Sequence, residues 1–191
     1  DILNYLGKQE FSKTNEEKSY GYSQFIFQET FRNLFTSIKF SKPDGNLKTI
    51  LITSSIPSEG KTLINILLSK TMTEFGKKVL LIDADLRKPQ VHKRLNLDNI
   101  KGLSNLLVDD NLSLENVVQK VPNFENLGII TSGTIPPDSS SLLNSIKMKE
   151  IVQSLKNNDN YDIIIFDAAP ILGISDSVLL GQYVDAMMMV I

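Results

Sequence analysis

The chain contains no cysteine and a single histidine, His92, among its 191 residues. The absence of cysteine excludes disulfide bonds, thiol catalysis, thiolate zinc sites and cysteine-held iron–sulfur clusters. One histidine is too few for a histidine-rich metal site, and we expect His92 to be structural or exposed. The sequence therefore rules out the metal and redox sites that depend on sulfur or on several imidazoles.

The sequence also lacks an apolar run of the roughly 18–20 residues that are needed to span a bilayer. The first residues, Asp1-Ile2-Leu3, do not begin a secretory signal, which has a charged segment followed by an apolar one. The formal net charge is −2, so we expect no nucleic acid partner. Because the chain starts without methionine and ends in an apolar strand, we expect a piece of a longer protein. A membrane anchor elsewhere in that protein stays an open alternative.

Short apolar runs alternate with helical segments along most of the chain. The runs predict strands at 49–53, 78–83, 127–131, 162–167 and 186–191. Each run is continuously apolar, which is typical of strands buried on both faces. Helices are predicted between them at 63–75, ending at Gly76, and at 139–155. The sequence thus predicts an α/β fold of three layers, with a mainly parallel central sheet and helices on both faces.

The region before the first predicted strand has two parts. Residues 1–23 are polar and unpatterned, which predicts a linker or flexible arm. From Ser23, apolar residues recur at helical spacing and predict an amphipathic helix; they are Phe27, Phe31, Leu34, Phe35 and Ile38. We expect residues 24–191 to form one domain that continues beyond the end of this chain.

The loop after the first strand has the features of a phosphate-binding loop. Gly60 allows close approach of the backbone, Lys61 places an ammonium on terminal phosphates, and the Thr62 hydroxyl can bind Mg²⁺. The following helix presents unpaired N–H groups and its positive dipole end to a polyphosphate. Ser55 stands where the usual motif begins with glycine, and Gly-Lys-Thr also occurs by chance. The candidate nucleotide-binding residues are Ser55, Ile56, Pro57, Ser58, Glu59, Gly60, Lys61, Thr62 and Leu63.

Two aspartates strengthen this interpretation. Asp83 and Asp167 each close an apolar strand, and ligands of open parallel sheets bind at the carboxyl ends of strands. These positions predict carboxylates for Mg²⁺, against the alternative that both residues are strand-end caps. Asp85 either positions the metal or an attacking group, or pairs with Arg87. Arg87 and Lys88 either contact phosphate or an acidic partner, or form a solvated basic turn.

Together these segments resemble the cytoplasmic kinase domain of the bacterial tyrosine kinases, autokinases coupled to capsule and exopolysaccharide export. The family's phosphate loop resembles residues 53–62, in which Pro57 and Glu59 are more distinctive than Gly-Lys-Thr. Its second motif is similar to residues 80–89 and its third to residues 163–170. Segments 102–104 and 133–137 are also similar, and the resemblance runs from Gln28 to the end.

The resemblance implies a P-loop NTPase fold and an ATP- and Mg²⁺-dependent protein-tyrosine autokinase. By this resemblance Lys61 binds the phosphates, and Thr62 is a ligand of the metal. Asp83 and Asp85 serve the metal and the tyrosine hydroxyl, with Asp83 as the candidate base. Asp167 belongs to the metal site as well, where it holds the groups that surround the metal ligands.

The resemblance also implies a location at the inner face of the plasma membrane. Implied partners are ATP or ADP, a transmembrane co-polymerase segment or subunit, and further copies of the chain. In the family's oligomerisation helix Glu29 and Arg32 match, whereas Phe35 replaces a second arginine, so the match to a ring-forming motif is incomplete. Ser58 replaces a glycine of the family's loop, and the family's tyrosine-rich tail is not in this sequence.

Two other functions stay open. A partitioning or positioning ATPase of the same loop class usually carries a lysine where this chain has Ile56, which favours the kinase. A regulatory module that binds nucleotide without kinase activity is the third alternative, because the oligomerisation motif is altered and the tail is missing.

Overall fold

The computed structural model describes residues 15–41, 47–122 and 124–191. The chain divides into two compact units, Asp1–Gly45 and Asn46–Ile191. In the first unit helix α1 spans Asn15–Phe40. It begins earlier than the predicted start at Ser23, so residues 15–23 of the expected arm are helical. The rest of that expected arm, residues 1–14, lies outside the described residues.

Side chains one turn apart contact one another along α1, as the predicted amphipathic helix requires. Arg32 Nη1 lies 2.6 Å from Glu29 Oε1. The rings of Phe27 and Phe31 have centroids 5.0 Å apart. Pairs at this spacing are neighbours on a helix surface and support it by a few tenths of a kcal/mol each. Glu29 and Arg32 thus form an ion pair within one helix, and Phe35 lies one turn after Arg32.

The second unit is built on one sheet, whose strands run in the order β3-β4-β2-β5-β1-β6. All neighbouring pairs in it are parallel except β3 with β4. The predicted mainly parallel sheet is therefore confirmed. The strand bounds are Thr49–Ser54 (β1), Val79–Asp83 (β2), Val118–Val121 (β3), Phe124–Ile130 (β4), Ile163–Asp167 (β5) and Ala186–Val190 (β6).

Helices connect the parallel strands and cover the sheet. Their bounds are Lys61–Glu74 (α2), Val91–Leu95 (α3), Leu103–Val108 (α4), Leu114–Val117 (α5), Ser139–Leu143 (α6), Ile146–Asn157 (α7) and Asp176–Gly181 (α8). Helix α2 contacts β1, β2, β4 and β5. A separate core cluster joins side chains of the same strands to α4, α7 and α8. Both faces of the sheet are therefore covered, which explains why β1, β2 and β5 are buried along their whole length. No helix in the described ranges is long and apolar enough to cross a membrane.

Helix α2 ends as the sequence predicts, at Gly76. This glycine has φ 75°, the left-handed conformation that glycine adopts without a steric penalty. Its N–H donates to Thr73 O, and Lys77 N donates to Met72 O. These two bonds satisfy carbonyls that the helix end would otherwise leave without donors.

One local prediction is wrong, and one strand was missed. The single helix predicted at 139–155 is interrupted after Leu143, and α7 starts anew after Ser145, whose Oγ accepts a hydrogen bond from Met148 N. A serine in this position satisfies one of the free N–H groups of the new helix, so the chain can turn between the two helices. Strand β3 was not predicted, because Val118-Gln119-Lys120-Val121 is a short edge strand with little apolar pattern.

Polar contacts hold the amino ends of the strands. Asp162 accepts a hydrogen bond from Lys78 N at 2.8 Å, at the starts of β5 and β2. Asp185, just before β6, accepts from Thr49 N at 2.9 Å and from Lys48 N at 3.1 Å. Its other oxygen lies 2.8 Å from Lys156 Nζ. Burial favours the neutral form of Asp185, but these donors outweigh it and lower its pKa to about 2.

We expect Asp185→Asn to lower the free energy of unfolding at pH 7 by about 1–2 kcal/mol. The shift from an ordinary value near 3.9 corresponds to about 2.5 kcal/mol, reduced here because solvent reaches the side chain. A lowered pKa stabilises the fold above the unfolded pKa, and this contribution disappears as the pH falls from about 4 through about 2. Urea denaturation at pH 7 and at pH 2.5 measures the difference.

The matched control for this prediction is Asp159→Asn, in an exposed turn close to β5. It should change the unfolding free energy by less than about 0.5 kcal/mol at either pH. A loss in Asp185→Asn that is equally large at both pH values would contradict the role of its charge.

Candidate active site

The predicted phosphate loop and the two strand-end aspartates lie at one edge of the sheet. Asp83 and Asp167 are partners in register at the ends of the adjacent strands β2 and β5. On the other side of β5, Ile52 of β1 is the register partner of Asp167, and β1 runs on into the loop. The convergence expected from the parallel sheet is therefore present.

Lys61 lies at the centre of the cluster. Its Nζ is 3.0 Å from Asp85 Oδ2 and 3.5 Å from Asp167 Oδ1. All three side chains are buried, with Lys61 8%, Asp85 4% and Asp167 0% exposed. The alternative in which Asp85 pairs with Arg87 is thus wrong, because Asp85 pairs with the lysine of the loop.

Asn65, which the sequence analysis missed, belongs to the same cluster. Its Nδ2 donates to Asp167 Oδ1 at 2.8 Å. Asn65 lies one turn after Lys61 on α2 and is fully buried. An amide one turn after the lysine of the loop, in a helix that follows a phosphate loop, was the signal that could have identified it.

Burial and charge shift the pKa values of the cluster. Burial and the neighbouring charge of Asp167 raise the pKa of Asp83 well above its usual value. Burial also raises the pKa of Asp167, and Lys61 offsets this only in part. For Lys61, burial acts to lower the pKa, but the charges of Asp167 and Asp85 outweigh it, so its pKa is raised. The lysine is therefore held as an ammonium, and a further cation would stabilise the ionised carboxylates.

Backbone N–H groups hold the other two carboxylates. Asp83 Oδ2 accepts from Gln90 N at 3.2 Å and from Val91 N at 3.0 Å, and its Oδ1 accepts from Asp85 N at 3.3 Å. Asp85 Oδ1 accepts from Lys88 N at 2.9 Å. Each carboxylate thus has a fixed orientation, Asp83 at the end of its strand and Asp85 in the turn that follows.

The loop has a tight internal structure. Ile56 N donates to Glu59 Oε2 at 3.0 Å, so the side chain of Glu59 bridges the loop. Gly60 has φ 87° and directly precedes α2, whose second residue, Thr62, is 5% exposed. Ser58 has φ 74°, a left-handed conformation that is unusual for a residue with a side chain.

We expect Ser58→Gly to raise the free energy of unfolding by about 0.5 kcal/mol. The left-handed conformation costs a residue other than glycine about 1–2 kcal/mol, and glycine loses about 0.5–1 kcal/mol more chain entropy on folding. Gly60→Ala, two residues later, is the converse substitution and should lower the free energy of unfolding by about 1 kcal/mol. Urea denaturation of both variants beside the wild type tests this. A loss of stability in Ser58→Gly would contradict the strain that its φ indicates.

The cluster also fits a magnesium ion. Across the described ranges, no group of three or more His, Cys, Asp or Glu side chains could hold a metal by itself. Mg²⁺ needs fewer, since it usually binds through one or two carboxylates, substrate phosphates and waters. In that same part of the chain Asp167 Oδ2 is buried and accepts no hydrogen bond of standard geometry, although the nearby Thr62 hydroxyl helps to lower the pKa of this carboxyl. A buried carboxylate oxygen that lacks a donor suits a cation.

Two further segments singled out in the sequence pack against one another beside the site. Gly102 passes so close to the end of β4 that a Cβ on it would lie 2.1 Å from Thr131 O. Asn105 Oδ1 accepts from Gly102 N at 3.1 Å and from Thr134 N at 3.3 Å. These contacts fix the loop that follows β4 and leads to α6.

Known proteins share this architecture. A family model described as "AAA domain" matches residues 47–189. The Bacillus subtilis tyrosine-protein kinase YwqD is 42% identical over 163 residues, 85% of this chain and 67% of the relative. The chain belongs to the bacterial tyrosine-protein kinases. The expected membership in the tyrosine kinases is confirmed. A Klebsiella pneumoniae relative, 34% identical over 85% of this chain and 22% of the relative, is named a putative tyrosine-protein kinase in a cps region.

Solved structures agree with the family. The kinase domain of the Escherichia coli tyrosine kinase ETK superposes on this kinase domain with a TM-score of 0.78 and 32% identity. The match covers 85% of this chain but only 62% of the ETK domain. The septum site-determining protein MinD of Pyrococcus horikoshii, solved with Mg-ADP, matches less well, with a TM-score of 0.61 and 25% identity over 75% of this chain and 57% of that one. The predicted P-loop NTPase fold is confirmed, and this septum site-determining protein shares it.

Proposed function

We propose that the full-length protein transfers the γ-phosphoryl group of Mg·ATP to tyrosine as an autokinase, and that this regulates the synthesis and export of a capsular polysaccharide or exopolysaccharide. The observation that carries the proposal is the contact of Lys61 with Asp85 and Asp167 beside a phosphate loop. The loop supplies the N–H groups for a polyphosphate, and the carboxylates lie where the transferred group must meet its acceptor.

Each side chain has a proposed role. Lys61 binds the terminal phosphates by exchanging its contacts with Asp85 and Asp167 for phosphate oxygens. Asp83 is the proposed base. Its Oδ1 has only a long hydrogen bond of 3.3 Å to Asp85 N, so this atom is the better placed to accept the tyrosine proton. A carboxylate whose conjugate acid has a raised pKa is also a stronger base once it is ionised.

Thr62, Asp83 and Asp167 are the proposed ligands or neighbours of Mg²⁺, and residues 55–63 line the nucleotide. When bound, the ion neutralises charge on the β- and γ-phosphates. The chain itself contributes positioning, because Asn65 and Lys61 fix one oxygen of Asp167 and leave Oδ2 for the cation.

The resemblance supports three further proposals. The protein acts in the cytoplasm at the inner face of the plasma membrane. It works with a transmembrane co-polymerase segment or subunit, and it forms homo-oligomers in which Phe35 takes the place of a charged contact.

The direct test is phosphotyrosine formation by the purified full-length protein with ATP and Mg²⁺. Phosphotyrosine supports the autokinase. ATP hydrolysis stimulated by DNA or lipid, with no phosphotyrosine, would favour a partitioning or positioning ATPase. Nucleotide binding with neither activity would favour a regulatory module.

A further inference from the structure

A second polar cluster lies just beyond the turn that carries Asp85. Arg87 Nε donates to Asp176 Oδ2 at 2.8 Å, and Arg87 Nη2 donates to Asp176 Oδ1 at 3.1 Å. Arg87 Nη2 also donates to Ser140 Oγ at 2.9 Å, and Ser140 Oγ donates to Asp176 Oδ1 at 2.6 Å. Arg87 therefore contacts residues that are distant in sequence, although its side chain stays partly exposed, as in the solvated basic turn considered in the sequence analysis.

The ion pair of Arg87 with Asp176 is bidentate and partly buried. The side chain of Asp176 is 1% exposed, whereas that of Arg87 is 43% exposed. Burial favours the neutral carboxyl, but the hydrogen bonds from Arg87 and Ser140 outweigh it and lower the pKa of Asp176. A guanidinium that binds both oxygens of a carboxylate fixes direction as well as charge, which lysine cannot reproduce.

Short chain segments and hydrogen bonds connect this cluster to Asp85 and Asp167 of the candidate active site. Arg87 follows Asp85 by two residues, in a turn that is closed by the bond from Lys88 N to Asp85 Oδ1. At the other end, the neighbour of Asp176, Ser177, donates through Oγ to Ala169 O. Ala169 lies two residues after the strand that ends in Asp167.

We infer that Asp176 and Ser140 are positioning residues of phosphoryl transfer, which act through Arg87. They hold the turn of residues 85–88 against the segment that follows Asp167, so that Asp85 keeps its place on Lys61. None of the three side chains touches the reacting atoms in this scheme. The inference rests on the proposed kinase function and adds to it the residues that set the geometry.

The test uses the full-length protein with Arg87→Met, Asp176→Asn, their double variant and Ser140→Ala. The matched control is Lys147→Met, which removes an exposed ion pair with Asp110 of similar length, 2.9 Å. Phosphotyrosine formation is followed as a function of ATP concentration, Mg·ATP affinity is measured by titration calorimetry, and thermal unfolding is recorded for every variant.

We expect Arg87→Met and Asp176→Asn to lower kcat by about 10- to 100-fold, as a small misplacement of a catalytic group does. The affinity for Mg·ATP should change by less than about three-fold, because the phosphate loop keeps its contacts. The double variant should be no worse than the worse single variant, since both substitutions remove one interaction. Arg87→Lys keeps the charge but not the bidentate ion pair, so its kcat should lie between those of Arg87→Met and the wild type.

Two results would overturn this inference but leave the proposed function standing. The first is a wild-type kcat in Arg87→Met and in Ser140→Ala when both variants are folded. The second is a loss of kcat in these variants that the control Lys147→Met shows as well. Ser140→Ala keeps the test decisive if Asp176→Asn does not fold, because Ser140 lies at the surface of a short helix and its loss should still lower kcat. A wild-type protein that forms no phosphotyrosine would overturn the proposed function and this inference with it.

Discussion

We expect Lys61→Met to reduce phosphotyrosine formation by the full-length protein by at least about 100-fold, because the ammonium is placed to stabilise the charge of the transferred phosphoryl group. The same substitution should lower the free energy of unfolding. It leaves Asp85 and Asp167 buried without their cation, a change that costs about 3–5 kcal/mol when a buried pair loses one partner. Protonation of Asp167, whose pKa is raised, should keep the cost at the lower end of that range.

The control for this prediction is Lys70→Met on the same helix. Lys70 pairs with Glu74 one turn away, at 3.5 Å, and its Nζ lies 6.0 Å from the centroid of the Phe124 ring. Methionine keeps the packing of the stem, so the loss of the ammonium should cost about 1 kcal/mol at most. Phosphotyrosine is measured by immunoblot, and stability by urea denaturation of both variants. Tyrosine phosphorylation at the wild-type rate in Lys61→Met would remove the basis of the kinase mechanism.

Asp83→Asn should lower phosphotyrosine formation by about 100-fold or more while Mg·ATP still binds, because an amide cannot act as a general base. The amide nitrogen also faces backbone N–H groups from which the carboxylate accepts hydrogen bonds, and this costs stability. Because burial raises the pKa of Asp83, the neutral amide removes part of the cost of burying a charge, so we expect a net loss of about 1 kcal/mol or less. Asp109→Asn is the matched control, since it changes an exposed carboxylate that also accepts a backbone N–H, from Asn111 at 2.9 Å.

Titration of Mg·ATP into Asp83→Asn separates two roles of the residue. Affinity like that of the wild type, with no phosphotyrosine, assigns Asp83 to proton transfer. Loss of both affinity and phosphotyrosine would assign it to the metal instead, and a wild-type rate would remove it from the chemistry.

Much of the second unit was predictable from local pattern. The buried strands β1, β2 and β5 each carry an unbroken apolar run, and an aspartate marks the end of β2 and of β5. The phosphate loop is contiguous in sequence, so Gly60 and Lys61 could be assigned directly. Parallel pairing then places the strand ends at one edge, which is why the contact of Lys61 with Asp167 was foreseeable.

Other features depend on partners that no local pattern shows. Arg87 and Asp176 are 89 residues apart in sequence, and only the fold brings them together. The start of α1 was missed because residues 15–22 lack the apolar periodicity on which the prediction relied. The break between α6 and α7 has no glycine or proline to mark it, although Ser145 before an apolar residue was a capping signal.

The placement of Asp83 beside Asp167 has a consequence for how the sheet assembles. Strands that are apolar on both faces would bury nearly as much surface if one slid by a residue, so their apolar side chains alone do not determine alignment. Such a slide of β5 would turn Asp167 to the far face of the sheet. Asp162, bonded to Lys78 N at the start of the same strand, opposes the slide, because it would leave that carboxylate without its donor. A surface hydrogen bond at the amino end of the sheet thus helps to fix the strand register that places Asp167 beside Asp83 at the carboxyl end.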